Sequence, residues 1–278
     1  MLPFAAFVVL FLILWGILSL TKPLVHGGFI RTAHFTTKFR SLDYLPVVVL
    51  LGIGAAVTAF AGDAFVDLSE LLVAKNPSLQ ALDQRWHDSA VSERTPGATT
   101  FFAAMSVLGG PAVLAVLTAL VAGTLFIRKR PRWAVYLLVT AGGGAVLNLE
   151  LKRYFERARP ALAEMLRRAD GYSFPSGHAM GSTVVIGGLT YLALRALTTW
   201  RQKSATIAFG TTFVLSVAAS RVYLGTHWLS DIGAGVSAGL LWLATTTIGY
   251  ETFRRIRSVR DLRARNRRAI SPPGQGVA

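Results

Sequence analysis

Residues 175–197 read PSGHAMGSTVVIGGLTYLALRAL. Behind a polar head, Pro175-Ser176-Gly177-His178, the stretch is apolar with one charge, Arg195. A helix needs about 20 predominantly apolar residues to cross the bilayer core. Ser176–Leu197 is therefore read as a membrane span, with Ser suited to the N-cap and Pro to the first helical turn. Polar groups at such a position are costly, and they persist where they have a use.

Composition extends that reading to the whole chain. Of its 278 residues, 53% are hydrophobic and 15% charged, against about 25% charged in ordinary soluble domains. Mean hydropathy is +0.49. Further candidate spans are Leu2–Leu20, Leu45–Ala61, Pro111–Ile127, Trp133–Leu149, Ala205–Ala219 and Trp228–Tyr250. The third could begin near Phe101, with Gly109-Gly110-Pro111 as a break, and Ala205–Ala219 extends to Tyr223. Leu2–Leu20 has neither a basic leader nor a clear cleavage site, so it reads as a retained span, with a signal peptide as the minor alternative. The expected fold is an all-α polytopic transmembrane bundle. Its parts are an N-terminal span and cytoplasmic loop over 1–44, a membrane core over 45–250 and a basic cytoplasmic tail over 251–278. Residues 271–278 read as disordered.

The net charge of +15 does not point to nucleic acid, because no nucleic-acid motif accompanies it. Eight arginines fall between Arg254 and Arg268, just after the last apolar segment, as a juxtamembrane anchor on anionic lipid would. Thr21–Tyr44, Arg128–Arg132 and Arg201–Lys203 are also basic and lie on the same side by span parity. The positive-inside rule makes that side cytoplasmic. The acidic stretch Gly62–Ala98 falls outside. Within it Leu79, Leu82, Trp86 and Val91 suggest an amphipathic interfacial connector. With no cysteine, a thiolate nucleophile and cysteine metal sites are excluded.

Three polar clusters fall on the outer face of this map: Lys152–Pro160, Pro175–His178 and Ser220–Asp231. Lys152 and Arg159 are seven apart, and on a helix would share a face. Arg supplies a planar fork for two phosphate oxygens and Lys a point charge. Gly177 lets anionic oxygens approach backbone N–H groups at a positive helix end, beside His178. His227 and Asp231 are one helical turn apart. A carboxylate there can hold one ring nitrogen and leave the other free as a nucleophile, with Arg221 near the same phosphate and Gly225 turning the chain. Taken alone, each cluster also has a structural reading. Arg153, Arg157, Arg167 and Arg168 crowd the first and suit headgroup contact. His26 and His34 read as cytoplasmic surface residues, and His87, beside Asp83 and Asp88, matches no metal-ligand spacing. Glu150, Glu156 and Asp170 flank the site and could pair with its arginines. Gly142-Gly143-Gly144, Gly235 and Gly239 suit close helix packing.

In this order, Lys152, Arg159-Pro160, Pro175-Ser176-Gly177-His178, Ser220-Arg221, His227 and Asp231 resemble the type-2 phosphatidic acid phosphatase superfamily, which includes the vanadium haloperoxidases. The resemblance spans about Leu45–Tyr250 and leaves Leu2–Leu20 as an addition to a six-span core. It implies a hydrolase acting on lipid phosphates, with catalytic residues His227, His178 and Asp231. His227 would attack phosphorus, Asp231 orient it and His178 protonate the leaving group. Lys152, Arg159, Ser176, Gly177 and Arg221 would bind phosphate, and no metal or other cofactor would be needed. The substrate would be a membrane lipid: a polyprenyl diphosphate such as undecaprenyl diphosphate, phosphatidylglycerol phosphate, phosphatidic acid or a lipid A phosphate. Transfer to a second lipid would use the same residues, and lipid binding or transport without chemistry is the rival from another class. The site is expected on the extracytoplasmic (periplasmic) face and the C-terminus in the cytoplasm.

Overall fold

A computed structural model describes residues 2–20, 45–161 and 165–270. The expected cytoplasmic loop with His26 and His34, and the tail beyond Ile270, lie outside these. The regular elements among the described residues are all helices: α1 (Leu2–Leu20), α2 (Leu45–Val73), α3 (Pro77–Ser92), α4 (Pro96–Leu108), α5 (Pro111–Ile127), α6 (Pro131–Phe155), α7 (Gly177–Ala196), α8 (Trp200–Tyr223) and α9 (Leu229–Ile270). Among them α6, α7, α8 and α9 to Ser258 are long and apolar enough to cross a membrane. α4 and α5 form a fifth such span if taken together across their 47° bend. That bend falls at Gly109-Gly110-Pro111, the expected break. Proline opens α5, where its missing N–H costs nothing. In α1, Phe4–Ser19 is apolar but shorter.

Helix ends depart from the sequence reading in two places. α2 does not stop at Ala61. It runs on through Asp63, Asp67 and Glu70 to Val73, because that part leaves the apolar layer and a helix satisfies its own backbone wherever it runs. α9 likewise continues from the membrane into the arginine-rich segment as one helix of 42 residues, about 63 Å at 1.5 Å per residue.

α9 packs against α2 and α7, α7 against α6 and α8, and α1 against α8. Lipid offers no hydrophobic drive between helices, so small residues and interhelical hydrogen bonds make these contacts. A Cβ on Gly235 would meet the Ser176 carbonyl oxygen at 2.8 Å and Ala179 Cβ at 3.1 Å. The missing side chain is what lets α9 reach the start of α7. Trp242 donates to the Thr140 carbonyl at 2.8 Å, and Tyr136 and Thr247 share a hydrogen bond of 2.9 Å. Phe60, Val116, Leu120 and Val146 stay exposed, as lipid-facing side chains should.

The expected connector is the helix α3, with one face on the bundle. It is a well-capped helix: Asn76 Oδ1 accepts from the N–H groups of Ser78 and Leu79. Its inward face, however, is Leu79, Asp83 and His87, all buried, while Leu82 and Trp86 are exposed. The two polar residues are turned inward because partners wait there. Asp83 meets Arg157 and Ser230, and the His87 ring lies 5.5 Å from that of Trp228.

Candidate active site

Four helix ends meet at one end of the bundle: the C-termini of α6 and α8 and the N-termini of α7 and α9. Each brings one piece of the sequence clusters. Lys152 stands in the last turn of α6. Arg159 does not share its face, contrary to the seven-residue spacing. α6 ends at Phe155, and Glu156 follows in the left-handed region at φ 45°, so the chain turns away before Pro160 can matter. The loop then brings Arg159 back. Its guanidinium donates to the carbonyls of Gly171 (2.8 Å), Thr226 (2.8 Å), Asp170 (3.1 Å) and Tyr172 (3.2 Å). Lys152 Nζ donates to the same Tyr172 carbonyl at 2.6 Å and to that of Ser173 at 3.3 Å. The two cations thus converge through a shared loop instead of a shared helix face.

Ser176 caps α7, accepting from the N–H of Ala179. Pro175 precedes the cap and so stands outside the first turn. A Cβ on Gly177 would lie 3.0 Å from Asn148 Oδ1 and 3.8 Å from Lys152 Cε, which puts this glycine directly against α6. His178 follows in the first turn of α7, bonded to the backbone of Ser106 and within electrostatic reach of Arg221, His227 and Arg159. Arg221 is 5% exposed at the end of α8, and one of its terminal nitrogens donates to Ser106 Oγ.

His227 sits in the turn between α8 and α9, which Gly225 makes at φ +72°. Its Nδ1 is 3.2 Å from Asp231 Oδ2, and the same carboxylate oxygen accepts the N–H of Trp228 at 3.0 Å. Its Nε2 is 3.1 Å from Arg159 Nη1. A guanidinium can only donate. Nε2 therefore carries the lone pair, and Nδ1–H points to Asp231. Burial pushes the imidazole down to about 4, against the pull of Asp231, so near neutral pH the ring is uncharged and its lone pair available. Burial also lowers Arg159, from so high a value that it stays a cation.

An apolar cavity of about 520 Å³ lies between α5, α6 and α7, and of the residues above Gly177 lines it. Asn148 and Gly177 line its polar end, Leu114, Ala145 and Val184 its body. Leu138 and Leu149, also in the lining, are exposed to the surroundings of the bundle.

Sequence reasoning missed Asn148 and Ser106, and read Arg157 as a headgroup contact and Asp83 only as part of the acidic outer stretch. None follows from local spacing. The only signal was the presence of uncompensated polar residues in or beside apolar helices. Of the flanking acids, Glu150 pairs with Arg153 and Asp170 with Arg168, all exposed, while Glu156 accepts from the Tyr172 hydroxyl.

The profile described as PAP2 superfamily matches residues 132–255, which contain all four helix ends. Phosphatidylglycerophosphatase B of Bacillus subtilis is 31% identical over 166 residues, 59% of this chain and 81% of the relative. Decaprenylphosphoryl-5-phosphoribose phosphatase of Mycobacterium tuberculosis is 29% identical over 161 residues, 54% of this chain and 79% of the relative. The crystal structure of a transmembrane PAP2-type phosphatidylglycerolphosphate phosphatase from Bacillus subtilis superposes with a TM-score of 0.62 at 30% identity, covering 69% of this chain and 96% of that one. With that extent of likeness centred on the helix ends that gather its histidines and cations, the chain belongs to the PAP2 superfamily.

Proposed function

We propose that this multi-pass membrane lipid phosphatase hydrolyses a phosphomonoester or diphosphate of a membrane lipid through a phosphohistidine on His227. The observation that carries the reading is the arrangement of the His227 ring, with Nδ1–H on Asp231 and the Nε2 lone pair aimed at Arg159. A phosphate drawn in by Arg159, Lys152 and Arg221 would meet that lone pair. Nε2 attacks phosphorus, the N–P bond forms and the P–O bond to the lipid breaks. Asp231 stabilises the charge that develops on the ring. His178, protonated as the charge of the phosphate enters beside it, gives that proton to the leaving oxygen, then takes one from the water that cleaves N–P and releases phosphate. Ser176 and the Gly177 N–H, at the start of α7, complete the cradle. Fixed cations supply the electrostatic stabilisation that such a transition state needs.

The apolar cavity beside Gly177 favours an amphiphile whose tail stays among α5, α6 and α7 while its phosphate reaches the helix ends. The names of the two relatives, a phosphatidylglycerophosphatase and a decaprenylphosphoryl-5-phosphoribose phosphatase, support lipid-borne phosphate as the substrate class. Phosphatidylglycerol phosphate, a polyprenyl diphosphate and phosphatidic acid are the members to try. Basic turns at the opposite end of the bundle, Arg128–Arg132 and Arg201–Lys203, favour an extracytoplasmic site and a cytoplasmic C-terminus.

The test is phosphate release by purified protein in detergent with EDTA present, each lipid offered separately and the His227→Ala protein as blank. Release that requires His227, and a rank order among lipids, is expected. A folded protein that releases no phosphate from any lipid would sink the hydrolase reading. Turnover appearing only when a second lipid acceptor is added would replace hydrolysis by transfer.

A further inference from the structure

Arg157 lies between two residues the sequence gives no reason to connect. Its Nη1 donates to Asp231 Oδ1 at 2.6 Å and to Ser230 Oγ at 2.7 Å, and its Nη2 donates to Asp83 Oδ2 at 2.7 Å. Asp83 also accepts the N–H of Ser230 at 2.8 Å and its hydroxyl at 2.6 Å. Both carboxylates are buried, Asp83 at 2% and Asp231 at 0% side-chain exposure, with Arg157 at 12%. The guanidinium lies over the Trp228 ring at 5.8 Å, and the Trp228 indole N–H donates to the Ala158 carbonyl at 3.1 Å. Ser173 binds the Arg157 carbonyl through its N–H at 2.8 Å, so the backbone of this arginine is held as well as its head.

The two oxygens of Asp231 are therefore divided. Oδ2 takes the His227 N–H and the Trp228 N–H, and Oδ1 takes Arg157. We infer that Arg157, held by Asp83 of α3, is a positioning residue for Asp231 and takes no part in binding the substrate phosphate. The inference rests on the proposed histidine chemistry. A carboxylate bound on one oxygen alone could rotate about its last bond and let His227 turn. With Oδ1 held by a charged donor and Oδ2 by the His227 and Trp228 N–H groups, both oxygens are tied and the plane of the carboxylate is set, and with it the line of the Nε2 lone pair. Asp83 is what separates Arg157 from Arg159. Two arginines in one short loop would both be drawn to a phosphate, but Asp83 and Asp231 together occupy Arg157 with two buried charges. α3 thus closes the end of the bundle over the catalytic carboxylate.

The test is steady-state kinetics of Arg157→Gln, Arg157→Lys, Asp83→Asn and Arg159→Gln in detergent, with inorganic phosphate as competitive inhibitor and far-UV CD to establish folding. A small misplacement of a reacting group costs up to about 100-fold. Arg157→Gln should lose about that in kcat, with KM and the phosphate inhibition constant within about twofold of wild type. Asp83→Asn should lose less, in kcat again, and Arg157→Lys should recover part of the loss. Guanidinium added to Arg157→Gln should restore turnover without changing KM. Arg159→Gln, by contrast, should weaken phosphate inhibition. If phosphate inhibition weakens in Arg157→Gln as in Arg159→Gln, Arg157 is a phosphate ligand and the inference is wrong. Unchanged kcat in folded Arg157→Gln overturns it too. If Arg157→Gln does not fold, an Asp83→Asn protein with wild-type kcat does the same. Wild-type activity lost in His227→Ala stands as the separate check on the histidine mechanism.

Discussion

The backbone N–H of Ser176 donates to the carbonyl of Asp231 at 3.0 Å. One hydrogen bond thus joins the cap of α7 to the first turn of α9, where the Asp231 carboxylate meets the His227 ring. The start of α7 and the first turn of α9 are thus mechanically joined, and Gly235, one turn further along α9, is where α9 comes against the Ser176 carbonyl.

Gly235→Ala should therefore damage activity without touching any catalytic group. Its new Cβ would fall 2.8 Å from the Ser176 carbonyl oxygen, a backbone atom that cannot swing aside. Overpacking of this kind costs about 1–3 kcal/mol, and here it would spread the Ser176–Asp231 contact. Thermal unfolding should show a lower midpoint and phosphate release a lower kcat. Gly123→Ala on α5, where nothing lies within 4 Å, is the control. It should be neutral or stabilising by about 0.5–1 kcal/mol, as Ala for Gly in a helix generally is.

The pH dependence follows from His227. Buried, its imidazole is held at about 4, so kcat/KM should fall as pH drops through that region and the lone pair is lost. The groups facing the ring are Asp231, which favours the proton, and Arg159, Arg221 and His178, which oppose it. Removing Arg159 as Gln should move this acid limb to higher pH. Stability has a matching sign. An unfolded histidine titrates near ~6.5, so below that the unfolded chain takes up a proton the folded one refuses. The His227 contribution to stability is intact above about 6.5 and is lost as pH falls toward 4. Detergent-phase unfolding at pH 7 and pH 5 would detect this, and a midpoint that rises on acidification would contradict it.

Orientation can be read directly, since the chain has no cysteine of its own. Ser89 on α3 and Gln202 at the start of α8 are both exposed, at opposite ends of the bundle. A cysteine at Ser89 should react with an impermeant thiol reagent in whole cells, and one at Gln202 only after lysis. The reverse pattern would put the site on the cytoplasmic side.

How much of this was legible before the structure depends on how far apart in sequence the partners are. His227 and Asp231 are four residues apart, and the cap at Ser176 is built within three. Such relations are local, each made across the turn that opens a helix. Arg159 kept its place at the site for a reason spacing could not supply. The helix that was to carry it ends at Phe155, and carbonyls of the 170–172 loop and Thr226 hold it instead. Asp83 meets Arg157 across 74 residues, and Ser106 meets Arg221 across 115. No periodicity reports a contact of that separation. The hydrophobic pattern of α3 left its inward face unread for the same reason: Asp83 is buried with Leu79 because it pairs with Arg157, while Leu82 and Trp86 stay exposed.

The apolar cavity offers the last prediction. Ala145 lines it and is exposed, so a larger side chain can enter without disturbing the core between α6 and α7. Ala145→Phe would fill part of the 520 Å³ that a lipid tail would otherwise take. If the tail lies there, the variant should lose efficiency on a long-chain lipid phosphate relative to a short water-soluble phosphate ester. A change of about tenfold in the ratio of kcat/KM values is expected, corresponding to about 1.4 kcal/mol of lost tail contact. The effect should grow with chain length up to the depth of the cavity and then level off, because methylenes beyond it meet only bilayer. An unchanged ratio would move the tail to another face of the bundle. A loss shared equally by both substrates would mean that the new ring reaches Asn148 and Gly177, and so the phosphate cradle itself.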